Sequence, residues 1–114
     1  MPYINLKTTK KVTDEKCVAI KAAFGKAIEC FPGKNEAYLM VCIEDERKLW
    51  FAGDDSRDSA VVDVQLLGAV NPSASNDMTA EICNILENEL GISPARIYVK
   101  YEGYDDWGWN GRNF

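Results

Sequence analysis

The chain has 114 residues, of which 46% are apolar and 27% charged, and its formal net charge is −5. This length suits one domain with a single core, covering residues 1–114. The cations are dispersed and outnumbered by acids, and no apolar run nears about 20 residues, so we expect neither a nucleic-acid partner nor a membrane segment.

The first half of the chain is predicted to form a strand, a helix and a second strand. The helix begins after Thr13, a capping residue that precedes two acids, and ends at Pro32-Gly33. Apolar residues recur three or four apart along one face, with Gly25 among them at a cost of about 1 kcal/mol relative to alanine. The strands cover residues 3–6 and 38–43.

The second half repeats this order. A helix opens at Asn71-Pro72, a cap followed by a proline in the first turn, and ends at Gly91. Its apolar face carries Met78, Ile82, Ile85, Leu86 and Leu90. The strands cover residues 60–67 and 96–101, and the first of them is interpreted as apolar on both faces.

Two further segments lie outside these units. Leu49-Trp50-Phe51 is predicted to form a short additional strand, and residues 54–58 a polar loop. Residues 107–114 contain too many aromatic side chains for a disordered tail, so we expect them to pack, with a neighbouring subunit as the candidate surface.

The two halves align with each other. Residues 33–41 align with residues 91–99 without gaps, at an offset of 58 (95 minus 37). The same offset aligns Pro2 with Ala60. We therefore expect an α+β fold, a duplicated β-α-β unit (residues 2–44 and 60–102) forming one four-stranded mixed sheet with both helices on one face. Subunit association would cover the other face.

Histidine is absent, which restricts the chemistry. Ser-His-Asp and Cys-His catalysis, imidazole zinc sites and histidine general bases are excluded, and we expect no metal and no cofactor. The cysteines form no C-x-x-C pair and are interpreted as small buried apolar side chains: Cys17, Cys30, Cys42 and Cys83. An enzyme working near neutral pH would need another proton carrier.

Five motifs follow one another along the chain: Met1-Pro2, Pro32-Gly33-Lys34, Leu67-Gly68, the run from Gly91 to Tyr98, and the run from Trp107 to Phe114. Because of the order and spacing of these motifs, the chain resembles the macrophage migration inhibitory factor branch of the tautomerase superfamily. The resemblance covers essentially the whole chain. The resemblance implies a homotrimer whose sheets form a central barrel with the helices outside. It also implies active sites at subunit interfaces that interconvert the keto and enol forms of phenylpyruvate-like or dopachrome-like compounds.

The base implied by this resemblance is Pro2, after removal of Met1 has made it the first residue. An α-amino group titrates near 7.7–8.0 in water, and burial or a nearby cation lowers that value. A base near neutrality can then take a proton from carbon and return it elsewhere. The alternative is that Pro2 merely opens an edge strand.

Three further residues match the family's substrate-binding positions. Lys34 would lower the pKa of the amine and bind a carboxylate or enolate oxygen, or else be an ordinary solvated lysine. Tyr98 would reach a neighbouring site as a hydrogen-bond donor, or simply pack in its strand. Leu67 would present its backbone amide, so a change of its side chain should matter little.

The chain also departs from the animal members of the family. Lys100 replaces an asparagine and Trp107 a small valine; pointing inward they would favour a planar carboxylate substrate, and pointing outward they would be a surface lysine and an interface aromatic. The animal C-x-x-C motif is missing, because Ser59-Ala60-Val61-Val62 stands there. Any linked thiol–disulfide activity is therefore not expected.

Two other functions remain open. One is a cytokine-like trimer with vestigial activity, although no residue supports a host receptor as partner. The other is a hydratase or dehalogenase of unsaturated acids, but the arginines do not match the paired arrangement those enzymes use. The amino terminus has no cationic region followed by an apolar stretch, so we expect no signal peptide and a cytoplasmic location, with non-classical secretion as an alternative.

Overall fold

Four strands and two helices form the body of the protein in a computed structural model that describes residues 1–114. A small two-stranded hairpin follows them. The elements in chain order are β1 (Pro2–Thr8), α1 (Asp14–Ala27), β2 (Met40–Glu44), β3 (Ala60–Leu67), α2 (Pro72–Leu90), β4 (Ile97–Tyr104), β5 (Gly108–Trp109) and β6 (Arg112–Asn113).

The main sheet has the strand order β2-β1-β3-β4. β1 is parallel to β2, β3 is parallel to β4, and the two pairs join through the antiparallel contact of β1 with β3. The sheet is therefore mixed, and the predicted α+β architecture is confirmed. Its interpretation as a duplicated unit stays a prediction.

Both helices begin, and α2 also ends, with the signals that the sequence indicated. The Thr13 hydroxyl accepts a hydrogen bond from the Lys16 amide, and the Asn71 side chain accepts two, from the amides of Ser73 and Ala74. These caps satisfy amides that a helix leaves without partners. Gly91 ends α2 in the left-handed conformation, with φ at 68°.

The core lies between the helices and one face of the sheet. Alternate residues of β3 are buried, because successive strand side chains point to opposite faces. The largest fully buried side chains come from both helices, the two central strands and the loops beside them: Phe24, Ile4, Leu6, Ile20, Ile28, Leu66, Met78, Ile82, Leu86, Ile92, Val62 and Val64.

The other sheet face is open in the single chain, and it is more polar than the sequence indicated. The prediction that β3 is apolar on both faces is wrong, because Asp63 and Gln65 occupy the middle of its open side. Only Val61 and Leu67, near its two ends, are apolar there. A partner covering this face would meet charged and amide groups as well as apolar ones.

Three predicted boundaries differ from the structure. The α-helix α1 stops at Ala27, and a 3₁₀ turn continues to Cys30 before Pro32. Residues 36–38 form another 3₁₀ turn, so β2 begins two residues later than predicted. A third 3₁₀ turn places Arg96 before β4, which extends to Tyr104.

Two further predictions were wrong. The segment 49–51 forms no strand; only an isolated bridge joins Phe51 to Asp54, across a turn in which Ala52 and Gly53 have positive φ angles. The four cysteines are half-buried rather than buried. Burial still raises the pKa of three of their thiols, those of Cys17, Cys30 and Cys83.

A close approach of two glycines fixes the end of β3 against β4. A Cβ atom on Gly103 would clash with the backbone oxygen of Gly68, so only glycine fits at position 103. The Gly68 amide donates to the Tyr104 carbonyl at 2.8 Å, and Gly68 has a φ of 96°. These contacts hold Leu67, the residue before Gly68, in one position.

Neither helix is both long and apolar enough to span a lipid bilayer.

Candidate active site

The beginnings of β1 and β2 and the ends of β3 and β4 meet at one end of the sheet. Pro2 pairs with Leu66, Tyr3 with Met40, and Leu67 with Tyr104. We call this region, which comprises Pro2, Met40, Leu67 and Tyr104, the proline end. Pro2 is buried there, although chain termini usually fray.

A tight turn brings Lys34 to the proline end. The Lys34 amide donates to the Phe31 carbonyl at 3.0 Å, and Gly33 between them has a φ of 79°. Proline followed by a glycine with positive φ is the signature of a type II turn. The Phe31 ring is buried and lies 6.0 Å from the Tyr101 ring, so the turn is anchored in the core.

Two hydrogen bonds connect the first residues to this turn through Leu67. The Lys34 ammonium donates to the Leu67 carbonyl at 3.1 Å. The Leu67 amide donates to the Met1 carbonyl at 3.0 Å. The structure thus brings together the amino terminus, Lys34 and the backbone of Leu67.

This environment disfavours a charged amine at the start of the chain. Burial lowers the pKa of the Met1 amino group below its ordinary value, and the neighbouring Lys34 ammonium lowers it further. Both effects act in the same direction because each penalises the protonated form. The proline end therefore combines a terminal amine of lowered pKa with the Lys34 cation and with the Leu67 amide, which donates to the Met1 carbonyl.

Three aromatic side chains beside the start of β2 form a cluster that we call the aromatic wall, which the sequence alone did not indicate. Tyr38 lies in the 3₁₀ turn just before β2, and its ring meets the Trp109 ring edge-on at 5.8 Å. Trp109 in turn stacks on Phe114 at 6.2 Å, with the rings only 6° from parallel. All three rings are more than half exposed.

A hairpin positions this wall. Strands β5 and β6 pair across Asn110-Gly111, both with positive φ, which matches the Asn-Gly turn favoured in two-residue hairpins. The Asn-Gly pair was the sequence signal that would have revealed the hairpin. The segment packs on its own chain through Tyr38, whereas its predicted packing on a neighbouring subunit stays a prediction.

Trp107 also lies near the proline end. Its ring meets that of Tyr104 at 5.8 Å, nearly perpendicular, and Tyr104 is the strand partner of Leu67. The Tyr104 hydroxyl donates to the Glu102 carboxylate. Trp107 is half-exposed, and its contact with Tyr104 places it beside the end of β4.

Tyr98 and Lys100 lie elsewhere on the sheet. Tyr98 pairs with Val61, five residues along β3 from Leu66, or about 17 Å at 3.3 Å per residue. β4 is also separated from β1 by β3. Within one chain, therefore, Tyr98 does not reach Pro2.

Lys100 is on the open sheet face, two residues after Tyr98. Its ammonium lies 2.9 Å from the Asp63 carboxylate, with which it is paired on the neighbouring strand. The Lys100 side chain is 64% exposed. Tyr98 and Lys100 thus both point away from the core, into the space in front of the open sheet face.

No group of three or more cysteine, aspartate and glutamate side chains is placed to hold a metal ion.

The family comparison extends over the whole chain. A profile described as macrophage migration inhibitory factor (MIF) matches residues 1–114. The macrophage migration inhibitory factor homolog of Trichinella spiralis is 30% identical, covering 100% of both chains, and the rat factor is 29% identical over 72% of each. The crystal structure of Leishmania major MIF2 is 32% identical, covers 100% of this chain and 97% of its own, and superposes with a TM-score of 0.91.

Replacing Lys34 tests the electrostatics of the proline end. In Lys34→Gln we expect the pKa of the terminal amine to rise, because a neighbouring cation no longer penalises protonation. The rise should stop short of the ordinary value, because burial is the larger cause and remains. An NMR titration of the terminal residue measures it.

The matched control is Lys26→Gln, which removes a cation from the exposed last turn of α1. It should leave the pKa of the terminal amine unchanged. An equal rise in both variants, or no rise in Lys34→Gln, would contradict the assignment.

Proposed function

Since the chain belongs to the macrophage migration inhibitory factor family of the tautomerase superfamily, we propose that it is a keto–enol tautomerase. Its substrates are phenylpyruvate-like 2-oxo acids, and its base is the secondary amine of Pro2 once Met1 has been removed. The observation that carries the proposal is the environment of the amino terminus, where burial and Lys34 both favour the neutral amine.

The amine of Pro2 would form in the same environment as that of Met1. Pro2 is buried and Met1 is half-buried in the chain that carries both. Desolvation is the larger cause of the lowered pKa of the Met1 amine, and we expect the same neighbours to disfavour a charged amine on Pro2. An amine that is neutral near pH 7 can accept a proton. It therefore supplies the general base that a chain without histidine otherwise lacks.

Removal of Met1 would also free a hydrogen-bond donor. The Leu67 amide donates to the Met1 carbonyl, so cleavage leaves this amide without its partner beside the new amine. The Lys34 ammonium donates to the carbonyl of the same residue, Leu67, which belongs to the next peptide group. The two donors are placed to bind the carboxylate and the oxygen on which negative charge develops.

The reaction requires only proton movements. The Pro2 nitrogen removes a proton from the carbon next to the keto group. The electron pair of the broken C–H bond forms the carbon–carbon double bond, and the π pair of the carbonyl moves onto its oxygen, where Lys34 stabilises the negative charge. Transfer of the proton from Pro2 to that oxygen gives the enol and restores the neutral amine, and in the reverse direction Pro2 takes the enol proton and delivers it to carbon.

The aromatic wall supports an aromatic substrate. Tyr38, Trp109 and Phe114 present ring faces and edges on one side, and Trp107 presents its ring near Leu67. Flat apolar surfaces of this kind pack well on a phenyl ring. The larger ring of Trp107, compared with the valine of animal members, favours a planar substrate.

Completing the site requires a second chain. We place Tyr98 and Lys100 in the site of a neighbouring subunit, within a homotrimer whose open sheet faces turn inward. Their distance from Pro2 within one chain and their exposure on the open face support this placement. Lys100 would bind a substrate carboxylate only when Asp63 releases it, so its contribution is smaller than that of Lys34.

Pro2→Gly tests the base. We expect kcat for phenylpyruvate tautomerisation to fall by about 100-fold or more, the order that a positioned general base contributes. The control is Leu67→Val, which keeps the backbone amide and should change activity little. Both variants must keep the oligomeric state of the parent protein in size-exclusion chromatography. A fully active Pro2→Gly protein would contradict the proposal, and receptor binding by an inactive variant would favour the cytokine-like role.

Mixed reassembly tests whether sites are shared. Pro2→Gly and Tyr98→Phe chains, unfolded together and reassembled at random, should give trimers in which about a quarter of sites have both residues intact. We expect the mixture to exceed the mean activity of the two parents. A mixture of Pro2→Gly with Lys34→Gln should gain nothing, because one chain supplies both residues. If the mixture of Pro2→Gly and Tyr98→Phe chains has only the mean activity of its two parents, sites shared between subunits are excluded.

A further inference from the structure

The segment between β2 and β3, residues 45–59, has a defined shape despite having almost no secondary structure. Its only strand-like feature is the bridge between Phe51 and Asp54. Thr9 and Asp58 hold its far end, through hydrogen bonds that join residues 58 and 59 to the end of β1. The middle of the segment is organised by one side chain from outside it, that of Arg96.

Arg96 lies beneath this segment and is only 3% exposed. Its Nε donates to the Asp58 carbonyl at 3.0 Å, and one terminal nitrogen donates to the carbonyls of Asp54 at 2.8 Å and Arg57 at 3.0 Å. The other terminal nitrogen lies 3.5 Å from the Asp54 carboxylate. A buried guanidinium with these partners holds the loop in a fixed geometry, which a point-charged lysine would not reproduce.

The same guanidinium also contacts an aromatic pair. It lies 5.4 Å from the centre of the Phe51 ring, within cation–π range. The Phe51 ring lies 5.3 Å from the Tyr98 ring, tilted by 57°. Arg96, Phe51 and Tyr98 therefore form one continuous stack, which we call the Arg96 stack.

Tyr98 is the exposed end of this stack. Its side chain is 63% exposed on the open sheet face, and its hydroxyl forms no hydrogen bond within the chain. An exposed tyrosine in a strand is free to change rotamer, and fixing it on arrival of a ligand costs conformational entropy. A ring held in advance by Phe51 avoids that cost.

We propose that Phe51 and Arg96 are positioning residues that hold Tyr98 in the orientation needed to bind substrate in the neighbouring subunit's site. The proposal rests on the proposed function, because it takes Tyr98 as a substrate-binding residue. Arg96 fixes the segment that carries Phe51, and the Phe51 ring fixes the Tyr98 ring. Neither Phe51 nor Arg96 touches substrate.

The test is a double-mutant cycle between Phe51→Leu and Tyr98→Phe. Leucine keeps an apolar side chain at position 51 but removes the aromatic contact, whereas phenylalanine at 98 keeps the ring and removes the hydroxyl. We expect Phe51→Leu to raise KM for phenylpyruvate about three- to ten-fold, in the range of an aromatic pair, with kcat nearly unchanged. In the Tyr98→Phe background the same change should have no further effect on KM.

Two more variants separate positioning from folding. Phe51→Tyr keeps the ring and should restore the parent KM. Trp50→Leu changes the adjacent aromatic residue, which is 60% exposed and outside the Arg96 stack, and should leave KM unchanged. Thermal unfolding and size-exclusion chromatography establish that each variant keeps its fold and oligomeric state.

The outcomes distinguish this proposal from the proposed function. If Tyr98→Phe raises KM but Phe51→Leu does not, or if the two effects multiply independently, the positioning role is overturned and the tautomerase site stands. If Tyr98→Phe leaves KM unchanged, the placement of Tyr98 in the site fails, and the positioning role fails with it. A KM effect of Phe51→Leu that disappears in the Tyr98→Phe background supports the proposal.

Discussion

The antiparallel pairing of β1 with β3 determines the environment of the amino terminus. A chain terminus normally lies at the surface and frays, but here the first strand occupies the centre of the sheet, with β2 on one side and β3 on the other. Its first residues are consequently held beside the end of β3, next to Leu67. A terminal amine in this position is partly desolvated by the fold itself, without any dedicated pocket.

Lys34 adds a cation beside that position. The type II turn at Pro32-Gly33, anchored by the buried Phe31, brings a cation to the backbone of Leu67. The same charge disfavours protonation of the amine. In the proposed function it would also attract an anionic substrate. The candidate site consists largely of backbone groups and a chain terminus. Because it uses few side chains, a sequence motif reveals little of it.

Local signals in the sequence account for much of the fold. Caps at Thr13, Asn71 and Gly91 predict the helices, because each satisfies backbone groups nearby in sequence. The failed strand at 49–51 shows the limit of such signals. Trp50 and Phe51 favour a strand by composition, but the turn at Ala52-Gly53 folds the segment back and the distant Arg96 holds it.

The candidate site was predictable in part. Pro2, Lys34 and Leu67, which the resemblance names, lie together at the proline end, since each depends on a turn or strand end near a recognisable motif. Their roles stay predictions. The aromatic wall and the Arg96 stack depend on contacts between residues far apart in sequence, such as Tyr38 with Trp109. Neither helical nor strand periodicity records such contacts, so they required the structure.

The most direct test of the role of Pro2 measures the mass of the protein and its tautomerase activity in parallel. Protein that retains Met1 is treated with methionine aminopeptidase, and mass spectrometry gives the fraction of chains that begin at Pro2 while phenylpyruvate tautomerisation is assayed in parallel. The account predicts negligible activity before treatment and activity that rises in proportion to that fraction. Equal activity in protein with and without Met1 would contradict it, because Pro2 would then act with its nitrogen in an amide bond.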